Sequence, residues 1–469
     1  MTDTLLNKII RQDRLLRDMP SCGEIPPTSS LCKAAFKVAW PSTVESFLVA
    51  LVGMIDTMMV GTLGAEAIAA VGLSTQPKFI GLCVFFSINI AVSAVVARRK
   101  GQNDKDGANR ALQQALLITV LFTVLISVLF VLFTDPILRL AGTTAETHTM
   151  AADYLRIIMG CMCFQTLSMV INAAQRGVGN TRIAMRTNLI SNGINIIFNY
   201  LLIGGKLGFP ALGVRGAAIA TVLGTIVACV MSFASVLHAN GFVFLGFEKK
   251  LRFDKATLSA LFKVGSSSFA EQIFLRIGFF TYALIVARLG TIAFAAHQVG
   301  MNIMSISFSF ADGLSIAAVA LVGQSLGQKR PDLAKLYGAI CQRIGFFISA
   351  LLAVVYFFFG TDIYRCFSDR EDILGYGAII TNLISVIVLL QIAQVIYSGC
   401  LRGAGDTRYV AFVSLVSVAF IRPAAGYILC YTFGFGLIGA WAGLIFDQGM
   451  RLILTWIRFH KGKWINIQL

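Results

Sequence analysis

The sequence predicts an all-α polytopic membrane protein. Twelve transmembrane helices form two six-helix bundles related by a pseudo-twofold axis along the membrane normal. Three observations carry this. Hydrophobic residues make up 57% of the 469 positions and charged residues 13%, with a mean hydropathy of +0.78; soluble domains run nearer a quarter charged. The apolar residues fall into twelve long unbroken runs. And the second half of the chain repeats the first at a fixed shift of 226 residues. This composition argues against a water-soluble enzyme and rules out a disordered or collagen-like chain.

Residues 1–35 are read as a cytoplasmic tail. Lys8, Arg11, Arg14 and Arg17 alternate with Leu5, Leu6, Ile9, Ile10, Leu15 and Leu16 at near-helical spacing, as in a short helix lying on the inner leaflet. The alternative is a polar tail without structure. No signal-peptide core precedes Phe36. The spans then fall near 36–60, 68–98, 111–134, 149–174, 183–205, 214–239, 257–288, 292–325, 336–360, 375–401, 408–432 and 437–459. About 20 residues cross the hydrocarbon, so the longer runs tilt or protrude. They lack the period-2 alternation of a membrane barrel.

Orientation follows from the bases. The net charge of +16 (39 Lys and Arg against 23 Asp and Glu) raises nucleic acid as a partner. In so apolar a chain it reads instead as positive loops inside the cell, with no nucleic acid expected. The tails and even-numbered connections hold about 29 of the bases, and the other side holds Arg139, Lys206, Arg215, Arg288, Arg365 and Arg370. Both termini are therefore placed in the cytoplasm, which requires an even number of spans and agrees with twelve.

The repeat is legible residue by residue. Lys37-Val38 meets Lys263-Val264, Glu45 meets Glu271, and Leu63-Gly64 meets Leu289-Gly290. Gly101-Gln102 meets Gly327-Gln328, and the RGVGNTR stretch from Arg176 meets RGAGDTR from Arg402. A shift of 223 then pairs Gly213 with Gly436. One register serving so many matches is the mark of an internal duplication. Six spans per half is an even number, so both halves insert the same way up. The domains are then 36–240, a cytoplasmic linker 241–256 containing the basic stretch Glu248–Asp254, 257–460, and a tail 461–469.

Several chemistries have no motif here. There is no G-x-x-x-x-G-K-[ST] phosphate loop and no H-E-x-x-H, and the four histidines do not cluster. The glycines of RGVGNTR and RGAGDTR read as tight cytoplasmic turns, with their arginines facing the phospholipid surface. Most of the ten cysteines sit in or at the ends of apolar runs as small packing residues. No cofactor is expected.

Function is sought in ionisable and amide groups at bilayer depth, which are costly unless they line a cavity or pair. Asp56 lies about 30 Å along the first helix from Lys37, in the outer half of the membrane. Among Met54, Met58 and Met59 it suits proton exchange or sodium binding; a helix-end cap is the plainer alternative. Glu45 and Glu271 are equivalent in the two halves, as polar-site acids or as paired structural carboxylates. Asp447 and Arg451, four apart, read as an ion pair. Arg422 precedes Pro423 in the eleventh span, and Pro41 interrupts the first; kinked helices often flank transport sites. Asn188, Asn192, Asn195 and Asn199 share one face of the fifth span. They either hold a cation, contact Asp56, or join helices by hydrogen bonds.

PSTVESFLVALVGMIDTMMVGTLGAEAIAAVG resembles the multidrug and toxic compound extrusion (MATE) family. So do QRGVGNTR with NIIFNYLLIGG, LGTIAFAAHQVG, CLRGAGDTR and DQGMRLILTWIRFHKGKW, in the same order. The resemblance covers nearly the whole chain from residue 36. It implies two bundles in a V and drug export driven by sodium or proton influx, with Na+ or H+ as the coupling ion. It places the family's first-helix acid on Asp56, its fifth-helix pair on Asn195 and Asn199, and its sixth-helix threonine on Thr221. Asn199 stands where some members have Asp. The acids of the NorM branch fall on Leu275 and Gln391 and are missing, which makes the chain look more like the DinF-like branch, coupled in the N-terminal bundle. Glu45, Glu271, Gln391 and Arg422 remain candidates for a substrate or polar site in the second half.

The expected substrate is a small organic cation or amphipath, handled by a monomer in the cell membrane. A flippase for lipid-linked precursors is the alternative; it calls for more bases within the spans than Lys78, Arg156, Arg276 and Arg422. A channel lacks its filter motif, and a membrane-embedded enzyme lacks paired carboxylates or a metal cluster.

Overall fold

The computed structural model describes residues 15, 22–237, 241–245, 254–366 and 371–467. Apart from Leu15, the residues named for the expected tail helix lie outside the described residues, as does all of the basic linker stretch except Asp254. The elements are α1 (Thr28–Gly61), α2 (Ala65–Gly101), α3 (Lys105–Leu132), α4 (Thr134–Leu140), α5 (Ala145–Gly160), α6 (Met162–Gly177), α7 (Thr181–Gly204) and α8 (Gly213–Leu237). They continue with α9 (Lys255–Ala287), α10 (Thr291–Gly327), α11 (Pro331–Arg365), α12 (Glu371–Gly403), α13 (Thr407–Thr432) and α14 (Gly436–His460). No strand occurs among the described residues.

Each expected span has a helix. Ten are long and apolar enough to cross a membrane. The fourth span is the pair α5 and α6, bent by 48° at Cys161. The fifth is α7, 24 residues long, whose four asparagines make it too polar to stand out by hydropathy. α13 is not a uniform α-helix: Leu415–Ile421 and Ile428–Thr432 widen into π-helix on either side of Arg422–Tyr427. The short α4 was not anticipated. All ten cysteines are free thiols, five of them buried.

The backbone repeats in the register of the sequence. Gly64 and Gly290 have φ of 109° and 104°, and Asn103 and Lys329 both have φ 58°. Gly179 and Gly405 have φ of 86° and 85°, a left-handed value that closes each RGxGxTR turn without Cβ strain. In these two turns Asn180 N–H donates to the Gln175 carbonyl at 2.9 Å, and Asp406 N–H to the Leu401 carbonyl at 2.8 Å. The expected tight turns are present. Of their arginines, Arg182 and Arg408 are exposed, but Arg402 differs from expectation and pairs with the buried carboxylate of Glu271. A guanidinium this close to a buried acid saves both charges from being left unpaired.

By compactness the chain divides into two units. The N unit is Phe47–Gly265; the C unit is Met1–Ser46 with Ser266–Leu469. In the N unit, α2 packs on α5 and α6, and α7 lies against α8. Apolar clusters form there, among them one around Phe85, Leu155 and Met159 and another around Val60, Ile158 and Ala218. In the C unit one larger core joins the start of α1 (Leu31, Ala35, Val38, Ala39) to α9–α14, with Trp441 and Ile392 fully buried.

Lipid chains are as apolar as leucine, so hydrophobicity alone does not hold these helices together; close backbone approach does. A Cβ on Gly403 would stand 2.5 Å from the Val319 carbonyl oxygen, fixing α12 against α10. A Cβ on Gly313 would stand 2.3 Å from Thr43 Cα, fixing α10 against the start of α1. Gly403→Val is therefore expected to cost about 1–3 kcal/mol, read as a lowered apparent Tm of the detergent-solubilised protein. Gly375→Ala, where a Cβ meets nothing within 4 Å, leaves that midpoint in place.

Candidate functional site

Asp56 lies on α1, five residues before the helix ends at Gly61, and is half-buried. Its carboxylate meets two amides from α7. Asn199 Nδ2 donates to Asp56 Oδ1 at 2.8 Å and lies 3.3 Å from Asn195 Oδ1. Asn195 bridges onward in either orientation of its amide. In one, its Nδ2 donates to Thr221 Oγ1 on α8 at 3.2 Å. In the other, its nitrogen donates to Asp56 Oδ1 at 2.8 Å while its oxygen accepts from the Thr221 hydroxyl. The latter matches donors to acceptors better, because it gives the carboxylate a second N–H. Thr221 also donates to the Ala217 carbonyl at 2.9 Å.

The helical period explains the grouping. Asn195 and Asn199 are one turn apart on α7, and both are buried, to 5% and 1% exposure. Asn188 and Asn192, further along the same stripe, are half-buried. The structure thus brings Asp56, Asn195, Asn199 and Thr221 into one cluster within the N unit, from α1, α7 and α8.

Two members were missed from the sequence. Lys78 on α2 and Tyr154 on α5 both lie within electrostatic reach of Asp56. Lys78 carries a usable signal: a lone lysine in an apolar run needs a counter-charge, and Asp56 was the acid at comparable depth. Tyr154 carries none.

The donor set is one carboxylate with neutral amide and hydroxyl oxygens. Asn199 Oδ1 is buried and has no hydrogen-bond partner. An acceptor left in this state beside a carboxylate fits a monovalent cation or a transferable proton. Among the described residues no group of three His, Cys, Asp or Glu is placed to hold a metal ion.

The remaining candidates, Glu45, Glu271, Gln391 and Arg422, do not assemble into one such site. Glu45 is buried on α1, in the C unit. Glu271 on α9 is held by Arg402. Gln391 is buried on α12, its Oε1 without a partner. Arg422 is 1% exposed and donates from Nε and Nη2 to Asp447 Oδ2, at 3.0 and 2.6 Å. Arg451 Nη2 donates to the same oxygen at 2.9 Å. The expected Asp447–Arg451 pair is therefore part of a triad that includes Arg422.

The MatE family pattern matches residues 41–201 and again 268–428, so its second copy starts 227 residues after the first, one residue from the register of the repeat. The chain is 29% identical over 439 residues to a probable multidrug resistance protein NorM of Thermotoga maritima, covering 92% of this chain and 93% of that one. It is 24% identical to the uncharacterized transporter YisQ of Bacillus subtilis, covering 92% and 94%. It is 27% identical to multidrug resistance protein MdtK of Edwardsiella ictaluri, covering 92% and 97%. Among solved structures it superposes on an outward-facing multidrug resistance MATE family transporter with a TM-score of 0.87 at 21% identity, over 97% of this chain and 99% of that one. A MATE structure in the straight conformation gives 0.85 at 22% identity, over 92% and 95%. These likenesses establish the fold, twelve helices in two bundles. The two matched segments take in more than half the sequence, and the protein is a multi-pass membrane protein belonging to the MatE family.

Proposed function

We propose that the protein is a secondary exporter of small organic compounds, cationic or amphipathic. It exchanges them for Na+ or H+ by alternating access, with the coupling cation held at Asp56. The observation that carries this reading is the Asp56 carboxylate in its shell of Asn195, Asn199 and Thr221, with Asn199 Oδ1 lacking a partner. The multidrug resistance names of the NorM and MdtK relatives support the substrate class. The excess of basic residues in the tails and even-numbered connections supports the cell membrane with both termini cytoplasmic.

The geometry suggests what the cation does. An ionised Asp56 holds the α7 amides through charge-assisted hydrogen bonds, about twice as strong as neutral ones. Sodium or a proton cancels that charge and loosens the tie between α1 and α7. Two arrangements of these helices then differ in their affinity for the cation, which is the requirement for a ligand to shift a conformational equilibrium. Leu275 and Gln391 stand where the NorM branch has acids, so the reading puts coupling in the N unit, in the DinF-like manner.

The test is efflux of ethidium from vesicles containing the purified protein, with sodium and pH gradients imposed separately. Wild type is expected to export under at least one gradient and Asp56→Asn under neither, and the active gradient names the ion. Equal efflux by wild type and Asp56→Asn would remove Asp56 from coupling; no efflux by wild type would remove the drug-export reading. Asn199→Ala loses one hydrogen bond to Asp56 and one free oxygen. It is expected to keep transport while the half-saturating concentration of the coupling ion rises roughly tenfold, the equivalent of about 1.4 kcal/mol.

A further inference from the structure

We propose that the C unit holds a binding site for a small monovalent anion, a halide or a carboxylate, at the cluster of Arg422, Asp447 and Arg451. The proposal goes beyond the export reading and does not depend on it.

The first argument is charge. Arg422 and Asp447 are 1% and 0% exposed at their side chains, and Arg451 is 12% exposed. Arg451 lies within electrostatic reach of Glu271, which is itself paired with Arg402. The triad itself sets two guanidinium groups, of Arg422 and Arg451, on the one carboxylate of Asp447, with Arg422 and Asp447 shut from water. A second guanidinium on a buried, already paired carboxylate calls for a further counter-ion.

The second argument is hydrogen bonding. Three N–H groups converge on the single oxygen Asp447 Oδ2. This leaves Arg422 Nη1 and Arg451 Nε buried with no partner. Trp441 Nε1, also buried, has none either. Water would satisfy such donors but not the charge; an anion answers both needs. Asp447 Oδ1 and Gln448 Oε1 are unpartnered as well. The Asp447 carboxylate opposes an anion, so binding is weak and is held in check by that one residue.

The surroundings suit a carboxylate carrying an apolar body. Arg422 Cζ lies 4.5 Å from the centre of the Phe279 ring and 5.9 Å from that of Tyr282. Tyr282 donates to the Ala440 carbonyl at 2.8 Å, next to Trp441. The His297 ring stands between Tyr282 and Trp441, 5.6 Å from each. Arg422 itself sits between two π-helical segments, a form that recurs at functional sites.

The duplication adds an independent observation. A shift of 226 carries Asn195 to Ile421, next to Arg422, and carries Asp56 to Tyr282. A shift of 223 carries Thr221 to Leu444, one turn from Asp447. The cluster thus occupies the same place in its repeat as the Asp56 cluster does in the other, with the opposite polarity.

The test is tryptophan fluorescence of the full-length purified chain in detergent. It is titrated with sodium chloride or sodium acetate at constant sodium, balanced with sodium sulfate, whose hydrated dianion is a poor fit for a dry site. A saturable change is expected with chloride, acetate or both. It should be absent in Trp441→Phe and in Arg422→Gln. In Asp447→Asn the half-saturating concentration should fall by roughly fivefold or more, because the opposing charge is gone. Saturation by chloride alone identifies a resident halide; acetate that saturates or displaces chloride identifies a carboxylate subsite. A linear response shared by wild type and Asp447→Asn would overturn the proposal, and so would a response retained in Trp441→Phe. Should Arg422→Gln fail to purify as a monodisperse species, the Asp447→Asn result decides: unchanged or weaker affinity rejects the site.

Discussion

Hydrocarbon offers neither hydrogen bonds nor counter-ions, and the structure is organised around that lack. Backbone groups within the spans are satisfied along their own helices. Buried hydroxyls turn back on the carbonyl four residues earlier, as Ser74 does on Ala70, Thr119 on Ala115 and Thr381 on Gly377. Buried charges find opposite charges, as Glu271 does in Arg402 and Asp447 in Arg422. Some buried side-chain atoms are left without a partner, and those beside an ionisable group carry the most meaning. Asn199 Oδ1 in the N unit and Arg422 Nη1 in the C unit are two such atoms, each beside an ionisable partner.

Duplication supplied the frame in which these atoms sit. The turns survived it closely: the left-handed residues at 64 and 290, 103 and 329, and 179 and 405 keep nearly the same φ. Turn geometry is set by local backbone sterics, so each half needs the same residue type at the same place. Side chains facing the interior carry no such constraint. Asp56 has Tyr282 as its mate and Lys78 has Met304. One unit has an acid among amides and the other has arginines around an acid. A fold can be conserved by its turns and glycine contacts while the polarity of its interior reverses.

What the sequence made legible follows the same division between local and distant. The spans were readable because apolarity is a property of each helix alone. α7 too was read as an apolar run, at 183–205, although its four asparagines make it the most polar of the spans. The Asp56–Asn199 contact was open to inference because the stripe on α7 had to face the bundle interior and Asp56 needed partners. The charge pairs were less accessible. Arg402 and Glu271 are 131 residues apart, and nothing in RGAGDTR distinguishes an arginine facing lipid from one turned inward. Asp447 showed its partner at i+4 but not the one 25 residues earlier on α13. Tyr154 has nothing in its spacing to point to it, and Lys78 shows only that it needs a counter-charge, not which acid supplies it. The bend between α5 and α6 also escaped, because hydropathy runs through Cys161 without a break.

Lys78 bears on how a cation site in the N unit can work at all. A carboxylate alone in an apolar bundle would hold a cation too firmly to release it. An ammonium within electrostatic reach lowers the net attraction for any arriving cation. It also gives Asp56 a counter-charge to face when the cation leaves, so that the emptied state is not an isolated buried charge. Exchange requires that both the loaded and the emptied states be affordable. On the proposed reading, Asn195, Asn199 and Thr221 stabilise the first and Lys78 the second. On the proposed anion site the signs are reversed: Asp447, paired with Arg422 and Arg451, is the counter-charge that remains when no anion is present. On both proposals, the residue that opposes the ligand is the one that makes its departure possible.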